Sequence, residues 1–197
     1  MIGSHDTMTF LRARFRFMEL FAFLWRTQTK SLTDQAMAGV RYFDIRVRRD
    51  KGMWRLCHGV VDLDQSFITL AQLIGYVLSY AVRSNIDSKP YIRLILERGD
   101  SLEFETVAPR LAERFPSISF IAIKRDWKVL LNRDPEIEDF TFLPWLSDNS
   151  FRQNLKRLWG MIRRREPLTI ASHAKRNPAL IDREMVNSDK VYFMDRV

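Results

Sequence analysis

His5 and His58 are two of only three histidines in this chain of 197 residues, and each stands beside a glycine or an acid. The first sits in Gly3-Ser4-His5-Asp6-Thr7, and the second in Cys57-His58-Gly59. Between them runs Gly39-Val40-Arg41-Tyr42-Phe43-Asp44-Ile45-Arg46-Val47. Two imidazoles around a guanidinium are what phosphodiester cleavage by acid–base catalysis needs. One imidazole takes a proton from the attacking hydroxyl, the other returns one to the leaving oxygen, and the guanidinium holds the phosphate. An unperturbed histidine pKa of about 6.5 lets one ring begin neutral and the other protonated near neutral pH. Arginine offers a planar fork whose charge does not titrate away. The third histidine, His173, has no such neighbours and reads as a structural residue.

Elements must place these residues. Residues 8–28 read as one helix, with Phe10, Phe17, Phe21 and Leu24 at helical spacing and Arg12, Arg16 and Arg26 interspersed. The expectation is that it packs on a core; the sharper alternative is a basic, aromatic helix that touches a lipid surface. The run Phe17–Trp25 is too short to span a bilayer, which needs about 20 apolar residues. Ser31–Ala38 reads as a short helix ended by Gly39. Residues 41–48 alternate as a half-buried strand with Asp44 and Arg46 on one face. Lys51-Gly52 makes a turn, and Met53–His58 is the next strand. Ser66–Arg83 is strongly helical, with Ser66 as N-cap. Further expected strands are Tyr91–Glu97, Ile118–Ile123, Lys128–Leu131, Leu168–Ala171 and Val191–Met194, and further helices are Glu103–Arg114, Asn149–Arg165 and Pro178–Met185.

Strands alternating with helices argue for an α/β fold with a largely parallel sheet. In a barrel of that kind chemistry sits at the C-terminal ends of the strands. His5, Arg46, His58, Glu97 and Asp195 all fall at or near such ends. The length suits one domain over residues 1–197, but it is short for eight full βα units, so a distorted or reduced TIM barrel is expected. Only Met1 and Ile2 precede the first motif, so the lead-in strand is expected to be missing or curtailed.

An apolar fraction of 46% supplies a sizeable core. The net charge of +8 favours anionic partners: phosphate esters, acidic lipid surfaces or nucleic acid. Nucleic acid is not expected, because no fingerprint of such a module is present. Cys57 is the only cysteine, so no intrachain disulfide can form, and it reads as a small buried residue. No signal peptide is visible; secretion or a periplasmic location is expected if an upstream signal was trimmed, and a cytoplasmic one otherwise. Nothing in the sequence specifies an oligomeric state.

Taken together, Gly-Ser-His-Asp-Thr, Gly-x-Arg-x-Phe-Asp-Ile-Arg-Val and His-Gly resemble the catalytic X region of phosphatidylinositol-specific phospholipases C. The match is to the bacterial, metal-independent branch. Ser31-Leu32-Thr33-Asp34-Gln35 resembles that family's stretch before the glycine, and Tyr192-Phe193-Met194-Asp195 its last barrel strand. The likeness is concentrated in residues 1–60 and the final strand. It implies a distorted TIM barrel of the phospholipase C-like phosphodiesterase type. It also implies a lyase that cleaves phosphatidylinositol to diacylglycerol and inositol 1,2-cyclic phosphate.

By the same resemblance His5 is the general base, His58 the general acid, Asp6 the acid that works with His58, Asp195 the carboxylate that orients His5, and Arg46 the phosphate-binding arginine. Asp44, Glu97 and Arg133 are the expected substrate-binding residues, Arg133 by a loose match. Asp44 has a second reading, a brace for Arg46 or His58, and Asp6 a second reading as a helix N-cap. The calcium-dependent branch carries an acidic residue where Arg46 stands, so no metal and no cofactor is expected. Glu97 departs from the bacterial branch, which has a lysine there, and follows the calcium branch. Asp44 and Glu97 together are the one pairing that could contribute to a calcium site. The expectation is instead that Glu97 pairs with Arg46 or accepts from a sugar hydroxyl. The expected partner is a phospholipid at a membrane surface, touched through residues 8–28. The alternatives are a phosphodiesterase acting on glycerophosphodiesters or another head group, and a catalytically silent lipid-binding module.

Overall fold

Two residue alternations set up the centre of the molecule. On β2 (Tyr42–Asp50) the apolar set Phe43, Ile45 and Val47 points one way and the set Tyr42, Asp44 and Arg46 the other. On β5 (Tyr91–Arg98) the same division puts Ile92, Leu94 and Leu96 opposite Tyr91, Arg93, Ile95 and Glu97. The strands are parallel, with Tyr42 beside Tyr91, Asp44 beside Arg93 and Arg46 beside Ile95. The like faces therefore align. β2 is buried on both faces over Tyr42–Val47, not on one as expected, because its polar face lines the inside of the curled sheet.

The computed structural model describes residues 2–4, 7–83, 90–99, 101–116, 119–124, 127–131, 139–143, 159 and 190–194. The remaining strands are β1 (Ile2–Ser4), β3 (Met53–His58), β4 (Val61–Phe67), β6 (Ser119–Lys124), β7 (Trp127–Leu131), β8 (Asp139–Leu143) and β9 (Lys190–Met194). They form one mixed sheet in the order β7-β6-β5-β2-β1-β9-β8, with β3 and β4 added as a meander beyond β2. Pairing is parallel from β6 through to β8; β7 runs antiparallel to β6, and β3 antiparallel to both β2 and β4. The described strands make a curled half-barrel. The lead-in strand is present: Ile2–Ser4 pairs with β2 on one side and β9 on the other.

The outward apolar face of β2 and β5 joins one core with α3 (Leu70–Arg83) and α4 (Ser101–Arg114), through Leu70, Leu73, Ile74 and Val77 of the first and Phe104, Ala108 and Leu111 of the second. Trp54 of β3, fully buried, stacks at 6.2 Å on Phe104. Each such large apolar side chain contributes about 1.5–3 kcal/mol through burial. Helix α2 (Leu32–Met37) is capped by Ser31, whose hydroxyl accepts from the Asp34 amide, and Gly39 leaves it at φ +94°. The Lys51-Gly52 turn between β2 and β3 takes φ values of +47° and +77°, the pair of left-handed residues that suits a right-twisted hairpin.

Two expectations fail, each for a reason visible in the hydrogen bonds. Residues 8–28 do not form one helix. They make 3₁₀ turns at Thr7–Phe10 and Arg16–Phe21 and a single α-helical turn, α1 (Ala22–Trp25). Between them Ala13 bridges to Leu63 of β4, with Arg14 N donating to Asp62 O and Asp64 N to Arg12 O. Thr9 also spends its hydroxyl on Thr27 and on the Gln28 amide. These bonds compete with helix formation. Helix α3 begins at Leu70 rather than Ser66, because Val61–Phe67 continues the sheet and Thr69 caps the helix. Its hydroxyl accepts from the Gln72 amide, and the Gln72 side chain accepts from Thr69 N. Apart from Trp159, the expected elements at Asn149–Arg165, Leu168–Ala171 and Pro178–Met185 lie outside the described residues.

Candidate active site

The inward face of β2 and β5 carries four charged side chains in alternating sign: Arg93, Asp44, Arg46 and Glu97. Asp44 is fully buried and its two carboxylate oxygens are divided between two guanidiniums. Oδ1 accepts from Arg93 Nη1 at 2.8 Å; Oδ2 accepts from Arg46 Nη2 at 3.3 Å and Nε at 3.4 Å. Arg46, 4% exposed, then donates Nη1 to Glu97 Oε1 at 2.9 Å. The cluster is neutral as a set, which is the condition under which buried charges are tolerated. Below it, toward the start of the strands, the rings of Tyr42 and Tyr91 pack at 5.1 Å and form the floor.

Glu97, on the same face of β5 as Ile95, reaches Arg46 at a local irregularity. Val47 pairs with Leu96 but Arg48 pairs with Arg98, so Glu97 is the extra residue of a bulge. A bulge re-aims one side chain while the strands on either side stay paired. Gly99 follows at φ +126°, where a Cβ would stand 2.9 Å from the Arg49 backbone nitrogen, so this close approach demands glycine.

His58 ends β3. The hairpin runs back along β2 with Leu56 opposite Val47, and so returns His58 toward the level of Arg46. His58 Nδ1 lies 2.6 Å from the backbone oxygen of Trp25. A carbonyl can only accept, so the hydrogen is assigned to Nδ1, and Nε2 is the nitrogen that exchanges protons. The turn after His58 is held by Arg48, which pairs with Asp62 and donates Nη2 to Val60 O at 3.2 Å. Cys57, next to His58, is buried. Burial pushes its thiol pKa far up, Glu97 raises it further, Arg48 lowers it, Asp62 raises it and Arg46 lowers it again. The strand end that carries His58 is therefore within electrostatic reach of the Arg46–Glu97 pair. The same burial makes Cys57 a poor nucleophile.

His5, Asp6, Arg133 and Asp195 lie outside the described residues. Their sequence neighbours are described. Ser4, which precedes His5, pairs with Phe43 and with Met194, and Met194 precedes Asp195. Ser4 and Thr7 are both held by the fully buried Gln35 of α2. Ser4 Oγ donates to Gln35 Oε1, and Gln35 Nε2 donates to Thr7 O at 3.0 Å and to Lys30 O at 2.8 Å. Thr7 Oγ1 also donates to Ser4 O at 2.9 Å.

The structure thus brings Asp44 and Glu97 into contact with Arg46, and the hairpin returns the end of β3 that carries His58 toward the level of Arg46. It adds Arg93 and Gln35, which sequence reasoning did not assign to a site. The signal for Arg93 was its position, two turns of the pleat before Glu97 on the same face of one strand. Asp44 is engaged by two arginines and Glu97 by one, so these carboxylates face guanidiniums. Among the described residues no group of three His, Cys, Asp or Glu side chains converges to hold a metal.

No family model matches the chain, and no curated protein sequence matches it. Solved structures do. A phosphatidylinositol-specific phospholipase C from Listeria monocytogenes superposes with a TM-score of 0.63 at 17% identity, covering 100% of this chain and 87% of that one. A pentafluoro-Phe variant of the Staphylococcus aureus phosphatidylinositol-specific phospholipase C gives 0.57 at 13% identity, covering 99% and 85%. Another S. aureus structure, from work on modulation of its membrane binding, gives 0.55 at 15% identity, covering 100% and 85%. At these identities the likeness is one of fold, and the fold of this chain is that of the bacterial phosphatidylinositol-specific phospholipases C.

Proposed function

We propose that this chain is a phospholipase C-type phosphodiesterase that cleaves phosphatidylinositol to diacylglycerol and inositol 1,2-cyclic phosphate. The observation that carries the reading is Arg46. It is a buried guanidinium, oriented by Asp44 and Glu97, on the inward face of parallel strands in a fold shared with bacterial enzymes of that activity. A phosphate is the natural ligand for such a planar fork.

In the mechanism His5 removes the proton of the inositol 2-hydroxyl, which attacks phosphorus. Arg46 balances the charge that builds on the phosphoryl oxygens. His58 gives its Nε2 proton to the departing glycerol oxygen. Asp195 orients His5 and stabilises the cation it becomes, and Asp6 supports His58. Asp44 keeps Arg46 aimed, and Glu97 meets either Arg46 or an inositol hydroxyl; Arg133 contacts the inositol. The guanidinium supplies the positive charge itself, so the reaction needs no metal.

The substrate is met at a membrane surface by the segment after β1. Phe17 (61% exposed) and Leu20 (77%) stand out with Phe15, Phe21 and Phe23, beside the exposed Arg12, Arg14 and Arg16. Exposed aromatic and aliphatic side chains among arginines are the composition of a segment that lies in a lipid interface. No helix among the described residues is long and apolar enough to cross a membrane.

The test is product analysis on phosphatidylinositol vesicles in excess chelator, with glycerophosphoinositol as the competing substrate. Release of cyclic inositol phosphate from the vesicles, lost in His58→Gln, is the expected result. Glycerol phosphate release instead would point to a glycerophosphodiesterase, a strict calcium requirement would sink metal independence, and vesicle binding with no turnover would leave a lipid-binding module.

A further inference from the structure

The histidine that would serve as general acid is held by a backbone carbonyl, and that carbonyl belongs to the segment carrying the exposed aromatics. Trp25 O accepts from His58 Nδ1 at 2.6 Å. Trp25 closes α1, and the next residue, Arg26, is the staple of the whole segment. Its Nη2 pairs with Glu19 Oε2 at 2.5 Å, and its Nε donates to Thr9 O at 3.2 Å. The other oxygen of Glu19 accepts from Ala13 N at 2.5 Å. The indole of Trp25 donates to Met18 O at 3.0 Å and lies 5.0 Å beneath the Arg26 guanidinium. Three short pieces that do not form a helix are thus tied around one ion pair, one residue from the carbonyl that meets His58.

We propose that Glu19 and Arg26 are positioning residues for the proton donor. By fixing the peptide at Trp25–Arg26 they keep its carbonyl aimed at His58 Nδ1, and this selects the Nδ1–H tautomer and assigns proton transfer to Nε2. The proposal rests on the reading of His58 as the general acid. A neutral imidazole has two tautomers, and the hydrogen bond made by one nitrogen decides which is present. The pair itself is partly exposed, at 21% for Arg26 and 30% for Glu19, so its direct contribution to stability is small. Its effect lies in where a carbonyl points.

The experiment is nitrogen NMR of the full chain labelled at histidine, with the His58 signal identified by its loss in His58→Gln. In the parent protein, above the titration range of the ring, His58 should show the Nδ1–H pattern. Arg26→Gln and Glu19→Gln should convert it to a mixture of tautomers, with Arg26→Lys closer to the parent. On phosphatidylinositol vesicles kcat should fall by up to about 100-fold, as for a misplaced catalytic group, with KM little changed. An unchanged Nδ1–H pattern in a folded Arg26→Gln or Glu19→Gln protein would overturn the proposal, as would an Nε2–H pattern in the parent. The NMR readout needs no turnover. A tautomer shift in a protein with no lyase activity upholds the positioning role and removes the catalytic reading; an unshifted tautomer in an active enzyme does the reverse.

Discussion

Arg46 on β2 and His58 on the antiparallel neighbour β3 belong to the same sheet but are held in opposite ways. Arg46 is fixed by side-chain charges inside the sheet, with Arg93, Asp44 and Glu97 alternating in sign along two strands. His58 is fixed by backbone: the carbonyl of Trp25 on one ring nitrogen and a turn pinned by Arg48 after it. The first arrangement has little freedom to adjust, because removing any member leaves a buried charge without its counterpart. The second can move with the segment that supplies the carbonyl. On the proposed reading, Arg46 as a phosphate-binding group gains from a fixed position, whereas His58 as a proton donor has to change partners during the reaction.

Substitutions can break that contrast. His58→Gln should lower the rate by about 10²–10⁴-fold, the usual worth of a general acid, while the urea midpoint barely moves; a large loss of stability would show that His58 is a structural residue. Asp44→Asn should do the reverse to the balance sheet of the fold. Two arginines lose their shared carboxylate, and unfolding free energy should drop by about 3–5 kcal/mol in a denaturant titration. Gln35→Ala leaves Ser4 and Thr7 without their common partner, and a loss of about 1–3 kcal/mol is expected for those buried groups. Equal stability of this variant would show that β1 holds the His5 segment unaided. Ser31→Ala removes one helix cap and should cost about 1 kcal/mol, measurable in the same titration without effect on turnover. Cys57 should resist alkylation in the native protein at pH 8 and react only after unfolding, because burial and Glu97 both keep its thiol protonated.

The side-chain network was legible where period-2 alternation carried it. Asp44 and Arg46 two apart on one strand had to share a face, and the run Tyr91–Glu97 had to be a strand beside them. Arg93 escaped because its role depends on register, which puts it level with Asp44, and register is a property of two strands rather than of either sequence. The bulge beside Glu97 is invisible for the same reason, although the pairing of Glu97 with Arg46 is not. Residues 8–28 do not form the expected helix because helical spacing of phenylalanines does not by itself make a buried face. Phe10 does pack against the core, but Phe17 and Phe21 are exposed, and the bonds that break the helix come from Leu63, Asp62 and Asp64, about fifty residues away. Val61–Phe67 is not legible as a strand, and its last two residues fall in the expected helix Ser66–Arg83, because its polar positions hide the alternation of Val61, Leu63 and Phe67.

The short strand Ile2–Ser4 lies in the middle of the sheet, with β9 as its neighbour. Ile2 pairs with Tyr192, so the sheet joins residues nearly the whole chain apart. Such contacts form late and slowly, because closing so long a loop precedes any reward from pairing. During synthesis the first strand must wait, unpaired on that side, until Lys190–Met194 has emerged from the ribosome. The sheet is therefore completed only once β9 is available, and a chain cut short before β9 should leave β1 without one of its two partners even though Asp44, Arg46, His58 and Glu97 are all present.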